Sequence, residues 1–442
     1  MKTLHEQKDF FFMHLTIHRG TKEIGGSCVE LQAGNSRILI DFGMPLVTDS
    51  KERFDAKSIE GKTTEELIRL NILPDIEGLY KHSERAIDAI FISHSHLDHY
   101  GFLDHVDQDM PIYMSRGAKE LIDITNIFVT KKPTKVNASL IKHMRSFQVG
   151  NFKITPYLVD HSAFDALAFL IEAEGKRVFY SGDFRGHGRK SLLFEKMLKD
   201  PPKNINILLM EGSMIGRKDW IYKDEGSVQG QIEKILQENE NITFLFTSSQ
   251  NIDRLVSAYK ACLRTDSIFV IDIYTAFVLD KLRKVSKNIP QFNWRNIKVK
   301  FIKYHADLLV DAGYKSLLYV YNKQKIDMFD INRQKKKILM LGRDNSIFPS
   351  IVKNIDGITG TKLIYSMWEG YLTEKFKGYC KQKGIEIESV HTSGHATIEG
   401  LKAFAKALNP KTLVPIHTFA SDKYPELFEN VKMLNDKEPL SF

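Results

Sequence analysis

Residues 93–99 read SHSHLDH, so three histidines and an aspartate fall within one short turn of the chain. The apolar run AIDAIFI comes directly before them and predicts a strand that ends where the histidines begin. His94 and His96 are two positions apart and can project to the same side, with Asp98 and His99 beside them. Imidazole nitrogens and carboxylate oxygens are ligands of zinc, manganese or iron. The stretch therefore predicts a metal site, since a histidine-rich surface turn would leave the repeated histidines without a packing reason.

Further candidate ligands stand at the ends of three later apolar runs. YLVDH ends in His161, RVFYSGDF places Asp183 after a glycine that permits a tight turn, and LVPIH ends in His417. Side chains at the ends of neighbouring strands meet on one rim of a sheet, so we expect these residues to join those of SHSHLDH. A cluster of that size can hold two metal ions.

The length and composition describe a globular chain. With 442 residues the chain is long enough for two domains, and its 43% hydrophobic and 27% charged residues are ordinary values. No apolar stretch approaches the roughly 18–20 residues of a membrane span, so no membrane partner is expected. The first twenty residues place charges on both sides of one FFFM cluster and show no small-residue cleavage site. These features predict a cytoplasmic protein without a signal peptide.

The net charge and the cysteines give less information about the function than the motif residues do. A net charge of +8 is compatible with a polyanionic partner but does not identify one. Cys28, Cys262 and Cys380 stand far apart and form no CxxC pair, which argues against both a disulfide framework and a thiolate metal site.

The pattern of predicted elements changes near residue 212. Short β-type runs with turns between them predict a mixed or antiparallel sheet before that point, with helices expected over residues 50–85 and 114–148. After it, strands alternate with helices, as in NITFLFTSSQ followed by NIDRLVSAYKACLRT, which predicts parallel α/β units. Basic residues with interleaved aromatics in the middle of the chain favour a basic groove only weakly, because such clusters are commonly solvated faces.

The motif residues resemble the metallo-β-lactamase superfamily, whose signature is HxHxDH followed by His, Asp and His. The resemblance implies an αββα fold that binds two divalent metal ions, zinc in the first place and manganese as the alternative. It implies that His94, His96 and His161 hold one ion, that Asp98, His99 and His417 hold the other, and that Asp183 bridges them. Asp41 in ILIDFG would support this set, although it can also be a simple turn aspartate.

The long α/β stretch between Asp183 and His417 resembles the domain inserted in the β-CASP subgroup of that superfamily. The resemblance implies a metallo-β-lactamase domain in two parts, 1–212 and 388–442, with the β-CASP domain at 213–387. It matches Glu211 to motif A, His395 in SGHA to motif B and His417 to motif C. Catalytic roles are implied for Asp98, Asp183, Glu211 and His395, with His395 as general acid. Taken singly, Glu211 can also be a surface acid and His395 a polar residue at a helix start.

The same resemblance implies a substrate. Histidine at motif C occurs in RNA-processing members, and the residues look most similar to ribonuclease J-like nucleases. The expected function is therefore metal-dependent hydrolysis of RNA, preferably single-stranded, by exonuclease or endonuclease action. The expected phosphate contacts are Ser248, Ser249, Arg254, Thr392, Ser393 and Gly394. A DNA nuclease, another phosphodiesterase and a non-catalytic RNA-binding subunit stay open as alternatives, and a homodimer is possible.

Overall fold

The computed structural model describes residues 12–48, 52–81, 84–130, 136–217 and 222–442. Within these residues the chain forms three β-sheets. The expected lack of a signal peptide concerns residues 1–20, of which 1–11 lie outside the described residues. In the described part of the chain, no helix combines the length and the apolarity that crossing a bilayer requires.

The bounds of the strands and helices are as follows. The strands are β1 (Met13–Arg19), β2 (Cys28–Ala33), β3 (Ser36–Ile40), β4 (Ala89–Phe91), β5 (Ile112–Met114), β6 (Ala138–Leu140), β7 (Phe147–Val149), β8 (Phe152–Leu158), β9 (Leu167–Ala173), β10 (Lys176–Tyr180), β11 (Ile207–Glu211), β12 (Thr243–Phe246), β13 (Ile268–Asp272), β14 (Ile297–Lys300), β15 (Lys325–Ile326), β16 (Ile338–Gly342), β17 (Thr361–Tyr365), β18 (Ile385–Ser389), β19 (Thr412–Ile416) and β20 (Pro439–Ser441). The α-helices are α1 (Thr64–Arg69), α2 (Leu97–Tyr100), α3 (Arg116–Phe128), α4 (Ser191–Lys199), α5 (Glu225–Glu238), α6 (Ile252–Arg264), α7 (Ile273–Leu282), α8 (Lys303–Asp311), α9 (Lys315–Asn322), α10 (Met328–Arg333), α11 (Ile347–Lys353), α12 (Glu374–Lys383), α13 (Ile398–Leu408) and α14 (Tyr424–Leu427).

Two mixed sheets pack face to face and form the first core. Their strand orders are β20-β1-β2-β3-β4-β5-β6 and β19-β11-β10-β9-β8-β7. Alternate residues of β1, such as Leu15 and Ile17, point into this core and meet Phe169 and Leu209 of the second sheet. Helices α1 and α3 cover the outer face of the first sheet, and α4 and α13 cover that of the second. The predicted αββα architecture is confirmed.

The third sheet is wholly parallel, with strand order β15-β14-β13-β16-β12-β17-β18. Its central strands are buried throughout, as expected for a parallel sheet with helices on both faces. The predicted α/β character of this part of the chain is confirmed. The exact domain boundaries stay a prediction, and β18 continues to Ser389, past the expected boundary at residue 387.

Helix α3 joins the two parts of the molecule. Ala118 and Ile122 on one side of α3 pack onto the first sheet, while Leu121 and Ile124 pack into the core of the inserted part. At the end of α3, the ring of Phe128 lies 4.6 Å from that of Tyr274 in α7. Because the helix is buried on two faces, it fixes the position of the inserted part beside the sheet sandwich.

Two expected helical regions are shorter in the structure than the sequence suggests. Among the described residues of 50–85, the helical segments are α1 and a 3-10 turn at Ala56–Ile59. In the region 114–148, only α3 is an α-helix among the described residues, and β6 and β7 follow it. Within residues 50–85, Gly61 and Pro74 explain the difference, since they interrupt the polar run that favoured a helix.

Candidate metal centre

The SHSHLDH stretch leaves β4 and enters the short helix α2. Ser93 fixes the start of the turn, because its backbone N–H donates to Asp41 Oδ1 (2.7 Å) and its hydroxyl donates to Asp41 Oδ2 (2.8 Å). Gly43 lies so close to α2 that a Cβ atom there would stand 1.6 Å from the carbonyl oxygen of Asp98. Glycine is therefore required at this position, and the loop after β3 holds the turn in place.

His94, His96 and His161 form the first group of candidate ligands. His96 Nδ1 lies 3.1 Å from His94 Nε2 and 3.4 Å from His161 Nε2. On the far side of its ring, His161 Nδ1 donates to the carbonyl oxygen of Gly394 (2.6 Å). That hydrogen bond places the proton on Nδ1 and leaves the lone pair of Nε2 directed at the group. Three nitrogens so arranged are the donor set of one zinc-type ion.

Asp98, His99 and His417 form the second group. His99 Nδ1 donates to Asp41 Oδ2 (2.7 Å), which turns His99 Nε2 towards Asp98 Oδ2 at 3.7 Å. His417 Nε2 lies at the same distance, 3.7 Å, from that carboxylate oxygen. The hydroxyl of Ser27 lies 3.0 Å from His417 Nδ1, the ring nitrogen opposite Nε2, and this contact helps to fix the orientation of the ring.

Asp183 lies between the two groups. Its Oδ2 atom is 3.7 Å from His94 Nε2, 3.3 Å from His99 Nε2 and 3.5 Å from His417 Nε2. Gly182 turns the chain there with φ +54°, and a Cβ at Gly182 would stand 2.7 Å from the carbonyl oxygen of Leu167. One carboxylate oxygen thus faces nitrogens of both groups, which is the arrangement expected of a bridging ligand.

Two orphaned nitrogens show that the cluster fits a cation. Among the described residues, the buried Nε2 atoms of His99 and His417 have no hydrogen-bond partner. Buried polar atoms are rarely left unpaired, and here both point at the carboxylate of Asp183 from 3.3 and 3.5 Å. A divalent ion among these atoms would satisfy them, so the residues present suit the metal that their types suggest.

The protonation states also suit metal binding. Burial lowers the pKa of His94 and His161 well below the ordinary value, so both imidazoles are neutral and free to donate a lone pair. Burial opposes ionisation of Asp183, but His417, His99 and His395 outweigh it and hold the pKa of this carboxyl well below its usual range. His94 and His161 are therefore neutral beside an ionised Asp183 carboxylate. At His99, burial lowers the pKa, but the carboxylates of Asp183, Asp41 and Asp98 outweigh it and raise the pKa well above the ordinary value, so metal binding there would displace a proton.

Asp41 is not itself one of the proposed metal ligands, but its carboxylate orients residues around them. Its Oδ2 atom accepts hydrogen bonds from His99 Nδ1 (2.7 Å), from the Tyr180 hydroxyl (2.7 Å) and from the Ser93 hydroxyl (2.8 Å). Asp41 and His417 both adopt left-handed backbone conformations, with φ +59° and +55°, at the ends of β3 and β19. Such strain persists where the surroundings fix it, and it is common at functional sites. The sequence pointed to Asp41, but it carried no signal for Tyr180.

Glu211 and His395 lie together beside the cluster. His395 Nδ1 is 3.3 Å from Glu211 Oε1, and the buried Glu211 carboxylate also accepts from the backbone N–H of Ser213 (2.9 Å). Burial lowers the pKa of His395, yet the charges of Glu211 and Asp183 outweigh that effect and raise it above the ordinary value. The protonated form of His395 is therefore favoured, next to a carboxylate that fixes its ring.

The structure brings Thr392, Ser393 and Gly394 to the cluster, although largely through their backbone. Thr392 and Ser393 are buried. The Ser393 hydroxyl accepts from the backbone N–H of His395 (3.0 Å) and donates to Met214 Sδ (3.3 Å). Since that hydroxyl is engaged, a phosphate contact by this segment would rely on backbone N–H groups.

The loop after β12 does not present Arg254 to a ligand. Arg254 is fully buried, and its guanidinium donates to the Glu225 carboxylate (3.0 Å) and to Ser366. Ser249 is also buried and bonds to Thr275 (2.6 Å). Ser248 is the exposed serine of this loop. The expected phosphate contact of Arg254 is therefore withdrawn, because its charge is neutralised inside the inserted part.

A buried arginine that the sequence analysis missed links the metal centre to the inserted part. Arg185, two residues after Asp183, donates to the Asp253 carboxylate (2.6 Å) and to the carbonyl oxygen of Ser393 (2.8 Å). Its Nε also lies 3.5 Å from Asp160, the neighbour of His161. Its guanidinium thus ties the strand ends that carry two candidate ligands to α6.

Removing Arg185 is expected to destabilise the fold strongly. Arg185→Ala leaves Asp160 and Asp253 buried with part of their compensating charge lost, which costs about 3–5 kcal/mol of unfolding free energy. Urea unfolding measures the loss, and Lys303→Ala is the control, because the Lys303–Asp307 pair is exposed. Equal unfolding midpoints for the two variants would contradict the structural role of Arg185.

Three family models match this chain. A β-lactamase superfamily domain matches residues 73–237, the metallo-β-lactamase superfamily matches residues 21–112, and a Zn-dependent metallo-hydrolase RNA specificity domain matches residues 384–424. The third match contains both His395 and His417.

Individual relatives agree with these matches. The chain is 25% identical over 411 residues to ribonuclease J of Mycoplasma genitalium, covering 90% of this chain and 66% of that protein. It is 24% identical over 303 residues to the RNase J-like protein of Methanocaldococcus jannaschii, covering 65% and 63% of the two chains. The chain thus spans less than two thirds of the length of these relatives. A crystal structure of a protein of unknown function from Enterococcus faecalis superimposes with a TM-score of 0.79 at 21% identity, covering 98% of this chain and 100% of that one.

Proposed function

This chain belongs to the metallo-β-lactamase superfamily, in its ribonuclease J-like β-CASP branch, and we propose that it hydrolyses RNA phosphodiester bonds with divalent metal ions. One observation carries the proposal: Asp183 Oδ2 lies within 3.7 Å of nitrogens from both ligand groups. A centre of this kind suits an anionic phosphodiester, because its metal ions leave a net positive charge at the cleavage point.

We propose that the centre holds two ions, zinc or else manganese. The ligands would be His94, His96 and His161 for one ion, Asp98, His99 and His417 for the other, and Asp183 for both. When bound, such ions supply Lewis acidity that activates a water molecule and stabilises charge on the phosphate oxygens. Asp41 holds the ring of His99 in the orientation that this requires.

Glu211 and His395 would together supply the proton that the departing oxygen needs. Cleavage of a phosphodiester leaves an alkoxide oxygen that must be protonated, and a protonated His395 beside the centre can donate to it. The Glu211 carboxylate, 3.3 Å from His395 Nδ1, stabilises the imidazolium and keeps the opposite nitrogen, Nε2, directed outwards. Phosphate positioning is proposed for Ser248 and for the backbone N–H groups of Thr392, Ser393 and Gly394.

RNA is the proposed substrate because the RNA specificity model covers residues 384–424, which include His395 and His417. We propose a single strand, since His94, His99, His161 and His417 are all buried and a flexible strand reaches a recessed centre more readily than a duplex. The homodimer and the cytoplasmic location stay predictions.

The test is cleavage of one single-stranded oligonucleotide as RNA and as DNA, labelled at the 5′ or the 3′ end, with zinc or manganese supplied. Release of labelled mononucleotides from 5′-labelled RNA would identify a 5′ exonuclease, and internal fragments would identify an endonuclease. Cleavage of DNA alone, or of neither polymer with either metal, would overturn the proposal.

A further inference from the structure

Two aromatic side chains stand exposed in the loop that follows β17. Trp368 and Tyr371 are each 45% exposed, and their ring centroids lie 5.2 Å apart at an interplanar angle of 88°. Large exposed aromatic pairs are uncommon on a surface unless they bind something. Neither residue belongs to the metal centre or to the Glu211–His395 pair.

An arginine guanidinium from another part of the chain lies over each of these two rings. The Arg217 guanidinium lies 5.7 Å from the Trp368 ring centroid, and that of Arg53 lies 5.3 Å from the Tyr371 ring centroid. Planar guanidinium groups and aromatic rings are the two surfaces on which proteins stack unpaired nucleobases. We call these four residues, Arg53, Arg217, Trp368 and Tyr371, the aromatic platform.

The loops that carry Arg53 and Arg217 are attached by backbone hydrogen bonds to segments that carry site residues. The loop of Arg53 is joined through Phe54 N to Leu46 O (2.9 Å), and Met44 N of the same loop bonds Leu97 O (2.9 Å), next to Asp98. Arg217 ends the turn that begins after Glu211, where its backbone N–H donates to Met214 O (3.1 Å).

The charges around Tyr371 also connect the platform with the site. Burial raises the pKa of the Tyr371 phenol, and the carboxylate of Asp98 raises it further, while Arg53 and Arg217 lower it. The phenol therefore lies within the electric field of a proposed metal ligand.

The Trp368 ring is held in place before any ligand arrives. A Cβ atom on Gly370 would stand 2.4–2.6 Å from three atoms of the Trp368 six-membered ring, so the indole rests where only a glycine leaves room. The turn is closed by Tyr371 N to Trp368 O (3.1 Å) and Leu372 N to Glu369 O (2.9 Å). A ring fixed in this way loses little conformational entropy on binding.

We propose that the aromatic platform stacks an unpaired nucleobase of single-stranded RNA next to the phosphodiester bond that is cleaved. This inference rests on the proposed function and adds to it a subsite for a base. Lysines alone would bind the phosphate backbone, whereas flat rings beside guanidinium groups complement a base and its adjoining phosphate together. The platform unites residues of both parts of the molecule, so it binds the strand at the cleft between them.

The test compares kcat/KM for an intact RNA oligonucleotide with values for a series in which one nucleotide at a time is abasic. For the wild-type chain we expect one abasic position to lower kcat/KM by about 5- to 100-fold, the range that base stacking contributes. Trp368→Ala should lower kcat/KM for intact RNA to a similar extent and should no longer distinguish the abasic RNA. Trp368→Phe, which keeps a flat ring, should restore most of the difference in kcat/KM between intact and abasic RNA.

Gly370→Ala is a second variant, because it displaces the Trp368 indole without removing it, and it should also weaken discrimination. Tyr319→Ala removes an even more exposed aromatic, 69% against 45%, from α9 and is the control, with kcat/KM and discrimination as in the wild type. If the wild-type chain cleaves RNA and Trp368→Ala still discriminates against one abasic position as strongly, the platform proposal fails alone. If the wild-type chain cleaves no RNA, the proposed function fails and the platform proposal with it.

Discussion

Replacing Asp183 with alanine is expected to abolish RNA cleavage, lowering kcat/KM by more than about 1,000-fold, or ~4 kcal/mol of transition-state stabilisation. Asp183 Oδ2 faces His94, His99 and His417 from 3.3–3.7 Å, so its loss removes the carboxylate that lies between the two groups. Without this charge, Asp98 would be the one carboxylate left among the proposed ligands to balance two cations. Cleavage kinetics on labelled RNA measure the loss of activity, and mass spectrometry measures the expected loss of bound metal.

The Asp183→Asn variant tests whether the charge of the Asp183 side chain, rather than its shape, is needed. Asparagine keeps the volume of the side chain but offers a neutral amide, so cleavage and metal content should fall in the same direction as in the alanine variant. Asp266→Ala is the control, since the Asp266 side chain is 83% exposed and pairs with Lys337 on the surface. An Asp183→Ala protein that retained full metal content and a tenth of the wild-type rate would contradict the bridging role.

The sequence predicted the sheet sandwich, and it predicted which candidate ligands the structure brings together, because both depend on local patterns. Alternating residues such as Leu15 and Ile17 in β1 identify an inner face, and that alternation is visible without a structure. His417 directly follows β19, and His161 comes three residues after β8 ends at Leu158, so the strand ends place both residues. Parallel pairing in the third sheet followed from the alternation of strands and helices.

The residues that the sequence did not reveal depend on tertiary contacts. Arg254 was expected to contact phosphate because the stretch SSQNIDR resembles a phosphate-contacting loop of the family, yet Glu225 from α5 neutralises it in the interior. Arg185 and Tyr180 are buried donors whose partners lie far away in the chain. No local pattern distinguishes a buried arginine from an exposed one, so such residues emerge only once the sheets are assembled.

Replacing His395 with alanine is expected to slow RNA cleavage by about 100- to 10,000-fold, the usual contribution of a general acid, while the metal content stays unchanged. The reason is the Glu211–His395 contact of 3.3 Å, which keeps a proton on a side chain that is still 22% exposed. Glu211→Gln should give an intermediate rate, because a neutral amide no longer raises the pKa of His395.

The metal content decides between two roles for His395. Its Nδ1 lies 3.8 Å from Asp183 Oδ2, so the geometry also groups His395 with Asp183 and His417 as possible ligands. A general acid can be removed without loss of metal, whereas loss of an ion from His395→Ala would make the residue a ligand. In the wild type, the rate should fall as the pH rises above the pKa of His395, because the donating imidazolium is lost. That alkaline decline should disappear in His395→Ala, and its persistence there would assign the proton to another group.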